Sequence, residues 1–136
     1  MKLAIANKAY SSWSLRPWIL MKMLGIPFVE DVVLLDTPEF RTRVDAYQAG
    51  STVPILVDED VTVWESLAIM DYLAERFPDQ AVWPQDRRAR AFARAMAHEM
   101  HAGFRGLRQA CPMNVRKIHP AKERGEAVAK DVARIT

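Results

Sequence analysis

Short β-rich runs alternate with helical patterns through the first 78 residues and are absent from the rest of the chain. That alternation constrains the fold more than any other feature. "KLAIA", residues 2–6, is an apolar run too short for a helix and reads as a buried strand of parallel type. From Ser14, "SLRPWILMKMLGIP" sets Leu15, Trp18, Ile19 and Met23 on one helical face, with a serine at its start and Gly25 and Pro27 as stop signals. Pro17 is placed in the first turn, where its missing N–H costs little. "FVEDVVLL" reads as a second strand, and Thr37-Pro38 supplies an N-cap and a first-position proline for a short helix ending near Ala46. Two further β-rich runs, Pro54 to Val57 and Val61 to Trp64, flank Asp58, Glu59 and Asp60 as a hairpin. "ESLAIMDYLAERFP" then places Leu67, Ile69, Met70, Leu73 and Ala74 at helical spacing before Pro78. The predicted order is βαβαββα, an α/β unit over residues 1–78.

Residues 79–86 turn polar around Pro84 and read as a linker. Beyond it, residues 87–136 predict an all-α region: one long helix from Arg87 to Ala110, with Phe92, Met96, Met100 and Leu107 on one side, ended by Cys111-Pro112. A second helix follows from about Ala121 to Ile135. Two helices bury little area by themselves, so this region is expected to be an incomplete helical domain. The length of 136 residues agrees, since it accommodates one domain of about 100 to 150 residues, or a small one plus part of another.

The net charge of +2 conceals a difference between the halves, −4 over residues 1–78 and +6 over residues 79–136. The basic side chains of the second half are scattered among alanines with no aromatic residues between them for base stacking, so a solvated helix surface is expected and no nucleic-acid partner. No run of about 18 uncharged apolar residues occurs, which argues against a membrane-spanning helix, and the opening residues lack the pattern of an export signal. The single cysteine, Cys111, cannot form an internal disulfide, as fits a cytoplasmic protein.

Three short segments bear on chemistry. Pro54 at the start of a strand is tolerated, and a cis Val53-Pro54 bond would present the strand's first backbone groups to an extended ligand. Glu65-Ser66 stands where the third helix begins. Free N–H groups and the positive end of the helix dipole there favour a carboxylate, the Ser66 hydroxyl adds a donor, and Glu65 suits an ammonium, so the pair matches an amino-acid head group. Plain helix capping is the alternative. Ser11 and Ser12 stand at the start of the first helix, where a hydroxyl either caps the helix or hydrogen-bonds a bound thiolate and lowers its pKa. A Ser-His-Asp triad finds no support, because residues 1–78 contain no histidine and no nucleophile-elbow motif. "HEMH", residues 98–101, places His98 and His101 at i and i+3, not the i and i+4 of a zinc-binding helix, and no metal is expected.

The element order, "SSWSLRPW" after the first strand, "VPIL" opening the third and "ESLAIMDYL" at the third helix together resemble the soluble glutathione S-transferases. "SSWSLR" is similar to the serine-type zeta (maleylacetoacetate isomerase-like) class, and "AHEMHAGFRGLRQACPMNVR" looks like a bacterial branch near it. The resemblance implies a thioredoxin-like glutathione-binding domain and a helical domain in which this chain stops. It implies glutathione as co-substrate, with Ser11 hydrogen-bonded to the thiolate and Ser12 as its alternate. It also implies Val53 pairing its backbone with the cysteinyl moiety before a cis Pro54, and Glu65 and Ser66 binding the γ-glutamyl group. Two departures stand out. Trp13 replaces the cysteine tied to zeta-class isomerisation, which argues against that reaction, and Thr52 replaces a lysine often found before "VP", which weakens a contact to a glutathione carboxylate. The reading is of a transferase joining the glutathione thiolate to a small electrophile, forming a homodimer when the helical domain is complete. The alternatives are a non-catalytic glutathione-binding or protein-interaction module and a thiol-disulfide oxidoreductase, the latter disfavoured by the lack of a C-x-x-C motif.

Overall fold

A computed structural model describes residues 1–136. Four strands, β1 (Lys2–Ile5), β2 (Val29–Val32), β3 (Ile55–Asp58) and β4 (Val61–Trp64), form one sheet in the order β2-β1-β3-β4. β1 runs parallel to β2 and antiparallel to β3, with Leu3 opposite Leu56, and β3 and β4 form the hairpin. Helices α1 (Ser12–Met23), α2 (Glu39–Asp45) and α3 (Ser66–Arg76) complete the expected βαβαββα order.

Alternation along β1 explains the layering, because successive side chains of a strand point to opposite faces. Leu3 and Ile5 join Met21 of α1, Leu56, and Ile69 and Leu73 of α3 in one core; Ala4 and Ala6 join Val33, Val44 of α2, Val53 and Ile55 in the other. Both faces are covered, which is why the strand carries no polar side chain between Leu3 and Ala6.

Local chemistry sets the helix limits. α1 ends as Gly25 takes a φ of +66°, while its N–H donates to the Lys22 carbonyl and the Ile26 N–H to that of Met21. This is a glycine-terminated helix end that satisfies two otherwise open carbonyls. The start of α1 differs from the sequence expectation: the helix begins at Ser12, which puts Pro17 inside it, and its buried positions are Ser14, Pro17 and Met21. Ile19 and Met23 face outward instead. Thr37 donates its hydroxyl to the Leu34 carbonyl and does not cap α2 with its side chain.

Polar networks hold the sheet's outer strand. Glu30 on β2 pairs with Lys8, accepts a 2.9 Å hydrogen bond from the Trp18 indole and lies 3.3 Å from Lys22. These contacts, that to Lys8 foremost, hold its carboxyl down to about 2. Asp31 accepts hydrogen bonds from Tyr47 and Arg43, and burial, reinforced by Asp31, pushes the Tyr47 phenol upward.

The helical region departs most from expectation. The long helix predicted from Arg87 to Ala110 is two: α4 (Arg87–Ala102) and α5 (Arg105–Ala110), separated by an extended Gly103 and by Phe104 at a φ of +54°. The Arg108 guanidinium explains the break, since it donates to the carbonyls of His101 and Gly103 at 3.2 Å each and so satisfies groups at the end of α4. α6 (Glu126–Ile135) starts later than expected and packs on α5. A Cβ on Gly106 would lie 2.8 Å from the Ala127 carbonyl oxygen, so only glycine permits that approach. No helix is long and apolar enough to cross a membrane.

Candidate functional site

The ends of three elements meet at one open cleft of about 950 Å³. The start of α1 contributes Ser12, Trp13 and Arg16, the approach to β3 contributes Thr52, Val53 and Pro54, and the start of α3 contributes Glu65 and Ser66. The facing wall comes from α4, α5 and the residues that follow, including His101, Arg105, Arg108 and Cys111.

The start of α3 offers the most specific chemistry. An α-helix leaves its first N–H groups without intrahelical partners, and they carry the positive end of the helix dipole. Beside them the Ser66 hydroxyl is 1% exposed and has no hydrogen-bond partner, an expensive state for a buried polar group unless a ligand completes it. Glu65 precedes it at a φ of +69°, a conformation unusual for a side chain of this size. Its carboxylate stays exposed, with Oε2 3.7 Å from His101 Nε2. Backbone strain of this kind persists where the surroundings impose it, often at ligand sites. The Val53-Pro54 bond is cis, as the resemblance implied.

The two serines at α1 part company. Ser11 occupies the N-cap position but makes no capping bond; its hydroxyl donates to Ser14 Oγ at 2.9 Å, and Ser14 Oγ also accepts the Ala6 N–H at 3.0 Å. Ser11 is thereby turned toward the joint between β1 and α1 and does not line the cleft, whereas Ser12 does. Of the residues singled out in the sequence, the fold brings together Ser12, Thr52, Val53, Pro54, Glu65 and Ser66 and leaves out the side chain of Ser11.

The surroundings of Trp13 were not foreseen. Two guanidiniums lie against its ring, Arg16 of α1 at 4.2 Å and Arg108 of α5 at 4.3 Å from the centroid, and the His101 ring stands 5.0 Å away in a T-shaped arrangement. Burial, and then the nearby charge of Arg108, pulls the Arg16 pKa below its usual value. The i, i+3 spacing of Trp13 and Arg16 was a signal that both share one side of α1. Nothing comparable announced Arg108 or His101, because their approach depends on the break between α4 and α5. His98 turns away, its ring nitrogen 2.8 Å from the Arg94 carbonyl oxygen, so the two histidines of "HEMH" do not share a site.

Residues 10–76 match the family model described as "Glutathione S-transferase, N-terminal domain". Residues 10–76 belong to the glutathione S-transferase superfamily. Over 64 residues it is 44% identical to dichloromethane dehalogenase of Methylophilus leisingeri, covering 43% of this chain and 23% of that protein. Against a probable maleylacetoacetate isomerase of Caenorhabditis elegans it is 31% identical over 97 residues, 71% of this chain and 45% of the relative. Among solved structures, a glutathione transferase homologue from Burkholderia with bound glutathione superimposes with a TM-score of 0.65 at 28% identity, over 80% of this chain and 57% of the other. A bacterial zeta-class maleyl pyruvate isomerase gives a TM-score of 0.68 at 27% identity, over 79% and 50% respectively. These likenesses establish a glutathione-transferase architecture, a thioredoxin-like unit followed by helices, with an affinity to the zeta class. The chain spans from about a quarter to just over half of the length of these relatives.

Proposed function

We propose that residues 1–78 form a glutathione-binding domain, joined through residues 79–86 to the helical region of residues 87–136, and that the cleft directs the glutathione thiolate at a small electrophile. The observation that carries this reading is the buried Ser66 hydroxyl, unpartnered at the start of α3 and beside the exposed carboxylate of Glu65. The γ-glutamyl group of glutathione carries a carboxylate for the first and an ammonium for the second. Val53 presents its backbone to the cysteinyl part, and Thr52 lies beyond it at the cleft margin. The α1 helix start then faces the sulfur.

Ser12 takes the thiolate-binding role in this reading, because Ser12 lines the cleft while the Ser11 hydroxyl is committed to Ser14. A hydroxyl and the positive end of a helix stabilise a thiolate over a thiol, so the nucleophile forms near neutral pH without a covalent enzyme intermediate. The nucleophilic sulfur belongs to the co-substrate, which is consistent with a thioredoxin-like unit that has no cysteine of its own in residues 1–78. Trp13 stands where zeta-class members hold a cysteine, so we propose conjugation or displacement and not maleylacetoacetate isomerisation.

We further propose a cytoplasmic location, with which the lone cysteine agrees, and a detoxifying role, which would follow from conjugation of electrophiles. A homodimer is supported by the exposed apolar side chains of Phe92 and Met96 on α4. The test combines calorimetric titration with glutathione and turnover on a panel of chloro- and nitro-substituted electrophiles. Binding with turnover supports the transferase; binding without turnover assigns the chain to the non-catalytic glutathione-binding class; absence of binding overturns the reading.

A further inference from the structure

Cys111 is the chain's only thiol, and it lies exposed on the wall of the cleft that contains Ser66. Its backbone N–H donates to the Leu107 carbonyl at 2.8 Å, which fixes it at the end of α5. The segment that follows is fastened to the loop that leads into α1: the Val115 N–H donates to the Ala9 carbonyl at 3.0 Å, three residues before Ser12. Cys111 thus lies between two anchored points and shares the cleft with Ser12, where the proposed function puts the sulfur of bound glutathione.

We infer that Cys111 is a modification site that forms a mixed disulfide with glutathione, using glutathione disulfide as the oxidant. The inference rests on the glutathione-binding reading of the cleft. One glutathionyl half of the disulfide docks at Ser66 and Glu65. The Cys111 thiol loses its proton to solvent, and the thiolate attacks the sulfur of the docked half. The glutathione S–S bond breaks as the new S–S bond forms, and the second glutathione leaves as a thiolate that takes up a proton. Charge favours the docking: Arg16, Arg105 and Arg108 line the cleft without a carboxylate ion-pair partner, and glutathione disulfide is an anion at neutral pH. With no second cysteine in the chain, nothing intramolecular resolves the adduct. Free glutathione thiolate must attack it, regenerating Cys111 and releasing glutathione disulfide. Occupancy then follows the ratio of disulfide to thiol, and the adduct closes the cleft to electrophiles while it lasts.

The experiment follows adduct formation on the full chain by intact mass spectrometry, with glutathione disulfide and, as a control of similar reactivity, 2-hydroxyethyl disulfide. The binding of S-methylglutathione is measured separately by calorimetry. The expected result is a rate that saturates with glutathione disulfide, is suppressed by S-methylglutathione and falls about tenfold in Ser66→Ala, as loss of a hydrogen bond to a charged group implies. The rate with 2-hydroxyethyl disulfide should rise linearly and be unchanged in Ser66→Ala. If S-methylglutathione binds but the glutathione disulfide rate is linear and insensitive to it, the Cys111 inference is overturned while the cleft reading stands. If S-methylglutathione does not bind, both are overturned.

Discussion

The sheet-bearing half and the helical half of this molecule satisfy their apolar residues in opposite ways. Of the 21 buried residues, only Val128 lies beyond Leu73. Leu3, Leu56, Ile69 and Leu73 have no exposed surface, whereas Phe92 and Met96 of α4 are 68% and 55% exposed. The difference teaches where specificity resides. The first half is a closed core able to hold α1, β3 and α3 at fixed angles, and the ligand-facing groups stand at the ends of those elements. The second half supplies the facing wall, where Arg108 and His101 meet Trp13, built on helices that keep few of their own side chains from solvent.

Core truncation should separate the halves most strongly. Leu56→Ala is expected to lower unfolding free energy by about 3 kcal/mol, by lost burial plus the cavity left behind, read from the urea midpoint. Met96→Ala should move it by less than about 0.5 kcal/mol in this chain. Equal losses would show that the helical half has a core of its own.

Chemistry at the cleft comes next. Ser12→Ala is expected to reduce kcat/KM for glutathione conjugation about a hundredfold, the scale for removing one donor from a developing or bound anion. Ser11→Ala should cost less than about threefold, through the Ser14 contact alone. A reversed order would return the thiolate to Ser11. Glu65→Gln is expected to raise the glutathione Kd about tenfold by removing the partner of the ligand ammonium, measured by calorimetry.

The smallest effect concerns pH. Glu30, with its carboxyl at about 2 when folded, sits below the ordinary glutamate value near 4.3. A depressed carboxyl contributes stability that is fully present above its unfolded pKa and is lost as pH falls toward its folded pKa. Urea midpoints measured from pH 5 down to pH 2 should therefore fall more steeply in the native chain than in Glu30→Gln. Parallel curves would mean that the Lys8 and Trp18 contacts do not hold in solution.

Much of the first half was legible because its signals are local. The hairpin, the Gly25 helix end and the spacing of Leu67, Ile69 and Leu73 each follow from a few neighbouring residues, and all lie where expected. The Glu65-Ser66 pair was legible for the same reason, since a helix start is a sequence feature. What could not be read depended on contacts between distant segments. The buried stripe of α1 runs through Ser14 and Pro17 because Ser14 serves the Ala6 N–H, a need invisible in the helix's own sequence. The break after Ala102 depends on a left-handed Phe104 and on Arg108 reaching back to two carbonyls, so an alanine-rich run read as continuous became two helices. The contact of Arg108 with Trp13 followed from that break.

The central claim is that the cleft holds glutathione with its sulfur at the Ser12 hydroxyl. Its most direct test is the ultraviolet thiolate absorbance of bound glutathione, titrated against pH in the native chain, Ser11→Ala and Ser12→Ala. The account predicts an apparent thiol pKa below the ordinary value near 8.5 in the native chain and Ser11→Ala, and a return to about that value in Ser12→Ala. An undepressed pKa in the native chain, or a depression abolished by Ser11→Ala and preserved in Ser12→Ala, would contradict it.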